Sequence, residues 1–232
     1  MSTNIWKGWK NKLMELKNLE KQMNFSFNDI KLLELALTHK SSNISSNNER
    51  LEFLGDSLLN VSISKYLFLK FPNETEGLLT RMRSSMVKGE TLTRKAHELN
   101  LIKFISLSKG TSNLSDNRKH SILEGTIESI IGAVFLDSGW DRTDSFIQDL
   151  FKKELSQITI DQEFRDPKTE LQELLQSKKL SPPKYLTEEF NNGFNSKIEL
   201  SEGSFSASGN SKRQAERAVA LEALTYLKSN NA

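Results

Sequence analysis

The chain has no cysteine, three histidines and four prolines among its 232 residues. Without thiols it has neither a disulfide framework nor a thiolate zinc site. His39, His97 and His120 share no ligand spacing such as HxxxH, so any metal must rest mainly on oxygen. No run approaches the roughly 18 apolar residues of a transmembrane helix, so no membrane partner is expected. Near the N-terminus Trp6 and Trp9 stand among Lys7, Lys10 and Lys12, with no continuous apolar segment for a secretory signal. The expected compartment is cytoplasmic. An excess of either charge is also missing: the net charge is +2. A nucleic-acid partner would therefore be held by local basic patches rather than by the field of the whole protein.

The hydrophobic content of 36% and charged content of 27% are those of a globular chain with room for one large domain or two modest ones. From about residue 19 to 155 the pattern is helical throughout. Apolar residues recur at spacings of three and four in 30–37, 51–71, 78–99 and 122–136. Breaks fall at Pro72, at Gly110 within the polar loop 108–121, and around Gly139. The polar stretch 156–166 ends in Asp166-Pro167, a helix start, since proline is at home in a first turn. A helix over 168–177, extended segments at 184–190, 195–200 and 204–208, and a final helix from Ser211 then follow. The expected organisation is an all-α domain over 1–157, a linker over 158–165, and a small α+β domain of order α-β-β-β-α over 166–232.

The most informative run is Asn48-Glu49-Arg50-Leu51-Glu52-Phe53-Leu54-Gly55-Asp56-Ser57. At 3.6 residues per turn, Glu49, Glu52 and Asp56 fall within about 60° of one another. Leu51, Leu54, Leu58 and Val61 form the opposite stripe, and Phe53, Leu59 and Ile63 flank the acids. A charged strip is usually the solvated face of an amphipathic helix. Here little solvated face remains, and acids on a mostly buried helix are costly unless paired, protonated or bound to a cation. Clustered oxygen ligands suit Mg²⁺ or Mn²⁺.

A second carboxylate helix repeats the situation over 121–136, where Glu124 and Glu128 are i, i+4 neighbours among few other polar side chains. Gly125 and Gly132 lie seven apart on one side of Glu128, where missing side chains let another helix approach. A helix-interior glycine costs about 1 kcal/mol against alanine, so close packing is a sensible compensation. Two such helices in one domain are expected to face each other around cations. In the small domain, Ser211 with Gln214 forms a capping box, and Ala215, Val219, Ala223, Tyr226 and Leu227 share the inner face of the last helix. Lys212 and Arg213 then fall in the first turn, where unpaired N–H groups favour an anion such as phosphate.

With both helices and the α-β-β-β-α tail in hand, the chain resembles bacterial ribonuclease III, the endonuclease specific for double-stranded RNA. The resemblance runs nearly end to end. Residues 48–57 are similar to that family's signature motif, with supporting matches at Ala36-Leu37-Thr38-His39, Gly77-Leu78-Leu79-Thr80-Arg81-Met82-Arg83 and 121–137. Asp166-Pro167-Lys168-Thr169-Glu170-Leu171-Gln172-Glu173 resembles the opening of its double-stranded-RNA-binding domain. The resemblance implies a homodimeric, Mg²⁺-dependent endoribonuclease in which Mn²⁺ can substitute. Each of its two active sites cuts one strand, leaving 5′ phosphates, 3′ hydroxyls and short 3′ overhangs on substrates such as ribosomal and other precursor RNAs. Glu52, Asp56 and Glu128 would be the core metal-binding and catalytic carboxylates, Glu49 and Glu76 supporting acids, and Phe53 a plug inserted into the partner subunit. Duplex RNA hides its sequence in a deep, narrow major groove, so the small domain would read shape. Thr169, Gln172, Glu173 and Gln176 would face one minor groove, with Lys212, Arg213 and Arg217 over the phosphates. From Phe164 onward ten Lys/Arg oppose nine Asp/Glu, a net of +1, so binding there depends on patch placement.

Two departures stand out. The family usually carries Asp three residues before the catalytic Glu, where this chain has Gly125. Glu124 is adjacent but turned by about 100°; as an i−4 neighbour of Glu128 its longer side chain is a candidate ligand. Weaker metal binding is expected, not an absent site. The loop between the first two strands, Asn192-Gly193-Phe194-Asn195-Ser196, is shortened and lacks the histidine often found there. RNA affinity would then lean more on the catalytic valley, including Arg118 and Lys119 of the polar loop. A non-cleaving duplex-RNA-binding protein on the same scaffold is the alternative that Gly125 motivates. A purely structural dimerisation module leaves the basic tail unaccounted for.

Overall fold

The computed structural model describes residues 2–42, 45–108, 115–160, 166–190 and 192–229. They divide into two units, Met1–Ile158 and Thr159–Ala232. The first contains α1 (Ser2–Gln22), α2 (Ile30–Ala36), α3 (Glu49–Lys70), α4 (Glu76–Met86), α5 (Gly89–Glu98), α6 (Asp116–Leu150) and α7 (Lys152–Gln157). Gly110 with residues 109–114, and residues 161–165 of the expected linker, lie outside the described residues.

Local chemistry sets the helix ends. Asp29 caps α2 by accepting from the Lys31 N–H, and Thr75 caps α4 by accepting from the Leu78 N–H. Helix α3 stops at Lys70, two residues before Pro72, which cannot continue it. At Gly139 (φ 73°, ψ −175°) α6 kinks in a conformation that glycine tolerates. The continuous helical pattern over 78–99 is in fact two helices, because Lys88 turns extended (ψ 150°) and starts α5 afresh. Beyond the kink, Asp144 ties back to α3: its carboxylate accepts from Ser62 Oγ at 2.7 Å and Lys65 Nζ at 2.8 Å. Buried Lys95 of α5 pairs with Glu154 of α7 at 2.9 Å. Among the described residues no helix is long and apolar enough to cross a membrane.

The centre of this unit is the crossing of α3 and α6. An ideal Cβ at Gly55 would stand 1.7 Å from the backbone oxygen of Glu128, and one at Gly132 would stand 2.3 Å from that of Leu51. The two backbones therefore touch, each helix supplying one glycine. Around the crossing Leu51, Leu59, Ile63 and Leu67 of α3 bury against Ile127, Ile130, Ile131 and Val134 of α6. Each buried side chain of this kind stabilises by about 1.5–3 kcal/mol. This corrects the stripe expected on α3. Its core face is Leu51, Gly55, Leu59, Ile63 and Leu67, whereas Val61 is exposed and Leu54 and Leu58 are half-buried. On a helix with two apolar faces, periodicity alone does not say which one meets the protein's own core.

The second unit runs α8 (Pro167–Ser177), β1 (Leu186–Phe190), β2 (Gly193–Leu200), β3 (Gly203–Gly209) and α9 (Lys212–Ser229). The sheet is antiparallel in the order β1-β2-β3. Both helices cover one face, burying Leu171, Leu175, Ile198, Phe205, Val219 and Leu224. Asp166 caps α8 through the Lys168 N–H, with Pro167 in the first turn. The Ser211 hydroxyl accepts from the Gln214 N–H at 3.3 Å, and Gln214 Oε1 accepts from the Asn210 N–H, one residue outside the expected box. On α9 the expected inner face is corrected at Tyr226, which is exposed and packs edge-on against Phe205, while Ala220 and Leu224 are buried instead. Phe190 pairs with Gly193, so two residues link β1 to β2, and Asn192 has a positive φ of 62° suited to a tight hairpin.

The crossing predicts that Gly55→Ala, which inserts a methyl into backbone, destabilises the fold by about 3 kcal/mol or more. The check is a fall in the urea midpoint with an unchanged slope. An unchanged midpoint would show that the helices do not approach so closely.

Candidate active site

The crossing sets the turn from Glu128 to Gly132 of α6 against the turn from Leu51 to Gly55 of α3. Glu49, Glu52 and Asp56 from α3 and Glu128 from α6 line one hollow of about 440 Å³, with Ser121 and Ile122 on the α6 side. Of the acids expected to meet there, these four share the hollow, whereas Glu124 is not among the residues that line it. Their burial is less than the sequence suggests: Glu49 and Asp56 are exposed, and Glu52, Glu124 and Glu128 are half-buried.

The acids differ in their partners. Glu49 Oε1 accepts from Lys40 Nζ at 2.9 Å, and this bond with the lysine charge holds its carboxyl below the usual range. Asp56 Oδ1 accepts from Asn60 Nδ2 at 2.9 Å. Burial raises the Glu52 carboxyl; the Lys40 charge opposes this, while Glu49 and Glu124 add to it. Glu128 is the extreme case, pushed from the usual 4.5 to about 8 by burial first and then by Asp56, Glu52 and Glu124. Every influence on it acts in the same direction.

Three further residues complete the walls. Asn48 is buried, 2% exposed, at the start of α3, yet it does not cap that helix. Its Nδ2 donates to the Ala36 carbonyl and to Ser129 Oγ, joining α2, α3 and α6. Its Oδ1 has no partner. His39 lines the hollow while its Nδ1 accepts from the Ser41 N–H at 3.1 Å, and Lys40 stands beside it. The sequence by itself singles out none of the three as a site residue. The signal for His39 was the match at 36–39, whereas Asn48 reveals itself only through contacts distant in sequence.

Three expected positions need correction. Glu76 is not in the hollow. It follows Pro72, beyond the far end of α3, and Asp56 and Lys70 alone are separated by about 21 Å of helix. Its Oε1 accepts from Thr80, and it lines a second hollow with Leu67, Phe68, Phe71, Pro72 and Leu79. Arg118 and Lys119 belong to the first turn of α6 rather than to a loop, with Lys119 3.5 Å from Asp116. Arg118 is exposed one turn before Ser121 on the wall of the hollow. Phe53 borders the hollow and is 79% exposed, while Glu124 sets its carboxylate against Gly89.

The donor set fits a hard divalent cation: all charged donors are carboxylates, they repel one another, and an orphaned amide oxygen belongs to the same wall. As the side chains stand, no group of three or more His, Asp or Glu among the described residues is arranged to hold a metal ion, so the fit rests on the chemistry of the donors and not on a formed coordination shell.

In the second unit Gln172, Glu173 and Gln176 are exposed along α8, at spacings that put them on one side. Thr169 is half-buried and donates to Asp166 Oδ2 at 3.0 Å, so it also serves the cap. Lys212, Arg213 and Arg217 are exposed on the first two turns of α9, which carries no acid in its first turn. Glu216 between them turns inward to Lys168 at 2.6 Å.

The elevated Glu128 predicts a pH dependence. Between about 4.5 and 8 the folded chain holds more protons than the unfolded one at this site, so stability falls as pH rises through that window. Without divalent cations, the thermal midpoint is expected to decline from pH 5 to 8 in the wild type and markedly less in Glu128→Gln. Parallel profiles would overturn the assignment.

Comparison with known proteins agrees with this geometry. The Ribonuclease-III-like family profile matches residues 29–155, and the double-stranded RNA binding motif matches 167–227. Ribonuclease 3 of Glaesserella parasuis serovar 5 is 39% identical over 221 residues, covering 92% of this chain and 99% of that one. Ribonuclease 3 of Idiomarina loihiensis is 40% identical over 222 residues, covering 93% and 96%. The nuclease domain of ribonuclease III from Campylobacter jejuni superposes with a TM-score of 0.58 at 40% identity, covering 62% of this chain and 97% of that one. The helical unit with its shared acidic hollow, the double-stranded-RNA-binding unit that follows it in the chain and these relatives together establish that the chain belongs to the ribonuclease III family of double-stranded-RNA endoribonucleases.

Proposed function

We propose that the chain hydrolyses duplex RNA in a Mg²⁺-dependent reaction, with Mn²⁺ able to substitute, and that ribosomal and other precursor RNAs are its substrates. The observation that carries this reading is Glu128, half-buried and crowded by three carboxylates without a cationic side chain among the influences on it. Glu52, Asp56 and Glu128, with Glu124, would hold the ion. Mg²⁺, when bound, acidifies water and neutralises charge on the phosphodiester and the leaving oxygen. In the balanced reaction a water oxygen bonds to phosphorus, the bond to the 3′ oxygen breaks, and a proton ends on that oxygen. The products carry a 5′ phosphate and a 3′ hydroxyl. The chain's own contribution is to orient the acids: Asn60 steadies Asp56, and Lys40 draws Glu49 to the rim.

We further propose a homodimer through α3. Phe53, Val61, Phe68 and Leu69 are all exposed on this helix. In a two-fold pairing, a patch must meet itself. An axis through Val61 sets Phe53, about 12 Å before it, opposite Phe68 and Leu69 of a second copy. Phe53 would enter the apolar hollow of about 430 Å³ that Phe68, Phe71 and Pro72 line together with Glu76. Since Phe53 is flanked in sequence by Glu52 and Asp56, Glu76 would then support the other copy's acids. Two sites acting on opposite strands would leave short 3′ overhangs.

A long perfect duplex incubated with Mg²⁺ is expected to yield endonucleolytic fragments, while single strands stay intact. No products, with retained gel-shift binding, would favour the non-cleaving reading instead. Glu128→Gln is expected to abolish cleavage while duplex binding survives, and full activity would remove Glu128 from the mechanism. For the dimer, Phe53→Ala is expected to shift sedimentation toward the monomer. A dimer of unchanged strength would rule out the plug.

A further inference from the structure

Two glycines beside the acidic hollow each carry a carboxylate on a bare Cα. An ideal Cβ at Gly125 would stand 2.7 Å from Cδ and from Oε2 of Glu52, and 2.9 Å from its Oε1. At Gly89, the first residue of α5, the same atom would stand 2.8 Å from Oε2 of Glu124 and 3.0 Å from its Cδ. These positions differ in kind from Gly55 and Gly132, where a Cβ would strike backbone. At Gly125 and Gly89 it would meet the end of a flexible side chain, so an added methyl group displaces the acid and leaves the helices where they are. Gly125 is buried within α6, and alanine is the better helix former there. Helix formation therefore gives no reason for glycine at 125. The contact with Glu52 does.

Resting on the metal-dependent reading of the hollow, we propose that Gly125 and Gly89 are carboxylate seats. Gly125 aims Glu52 into the hollow, and Gly89 holds Glu124 so that α6 supplies its second acid from position 124 rather than 125. The turn of about 100° between adjacent helix positions is absorbed by the longer glutamate side chain and by the bare surface of α5 on which it lies. Glu52, as it stands, and an aspartate at 125 would compete for one space. The unpartnered Oδ1 of buried Asn48, on the same hollow, independently points to a bound donor such as the hydration water of a divalent ion.

The test is a Mn²⁺ titration of the RNA-free full chain, followed by the electron paramagnetic resonance of free Mn²⁺, alongside metal-free thermal unfolding. Gly125→Ala is expected to unfold at no lower temperature than the wild type, yet to bind Mn²⁺ about 10-fold or more weakly. Glu124→Gln and Gly89→Ala are expected to weaken binding similarly, and Gly125→Asp to bind no tighter than the wild type. The proposal is overturned by a Gly125→Asp variant that binds more tightly, or by unchanged affinity in Glu124→Gln. Should Gly125→Ala not fold, Gly89→Ala at the helix start and Glu124→Gln decide. A wild type that takes up no Mn²⁺ sinks the metal reading and this proposal with it. A wild type that binds Mn²⁺ and cuts duplex, beside variants of unaltered affinity, sinks the seats alone.

Discussion

Contact between two helix backbones is the constraint on which the rest of this fold depends. Side chains normally hold helix axes 8–10 Å apart, and at Gly55 and Gly132 there are none to do so. The close crossing fixes the rotation of both helices as well as their separation. That rotation turns the acids of α3 and Glu128 of α6 toward one hollow. Ridge-and-groove packing of ordinary side chains would leave the same carboxylates further apart and more freely solvated. Fold stability and the geometry of the acids thus come from the same atoms, and a change at either glycine is felt in both.

The electrostatics follow from this closeness. Burial and neighbouring carboxylates oppose ionisation of Glu52 and, most of all, of Glu128. Nearby cations do not relieve Glu128. Lys40 is engaged by Glu49 at the rim, and Lys65 and Lys95 are paired with Asp144 and Glu154 elsewhere. The result is a region of concentrated negative potential within a chain whose net charge is only +2.

Much of this was legible in the sequence because it follows from helical spacing. Glu49, Glu52 and Asp56 recur at three and four residues, and Ser211 with Gln214 announces the last helix. What escaped depends on distant contacts. Gly55 draws no notice in the sequence until α6 is laid across it. Asn48 is only the first residue of the acidic run until its amide is seen to bridge two other helices. Val61 and Tyr226 are apolar residues at plausible core positions, and only packing shows that they face outward. Glu76 was grouped with the other acids by resemblance, whereas the length of α3 separates it from them within one copy.

The two-residue link between β1 and β2 has its own consequence. A double-stranded-RNA-binding fold spans about 16 base pairs by touching two successive minor grooves, and this hairpin gives little reach beyond the strands themselves. Affinity differences between related complexes reside mostly in dissociation rates. On that principle, fewer contacts from the small unit would act on how long a duplex is held rather than on how fast it is captured.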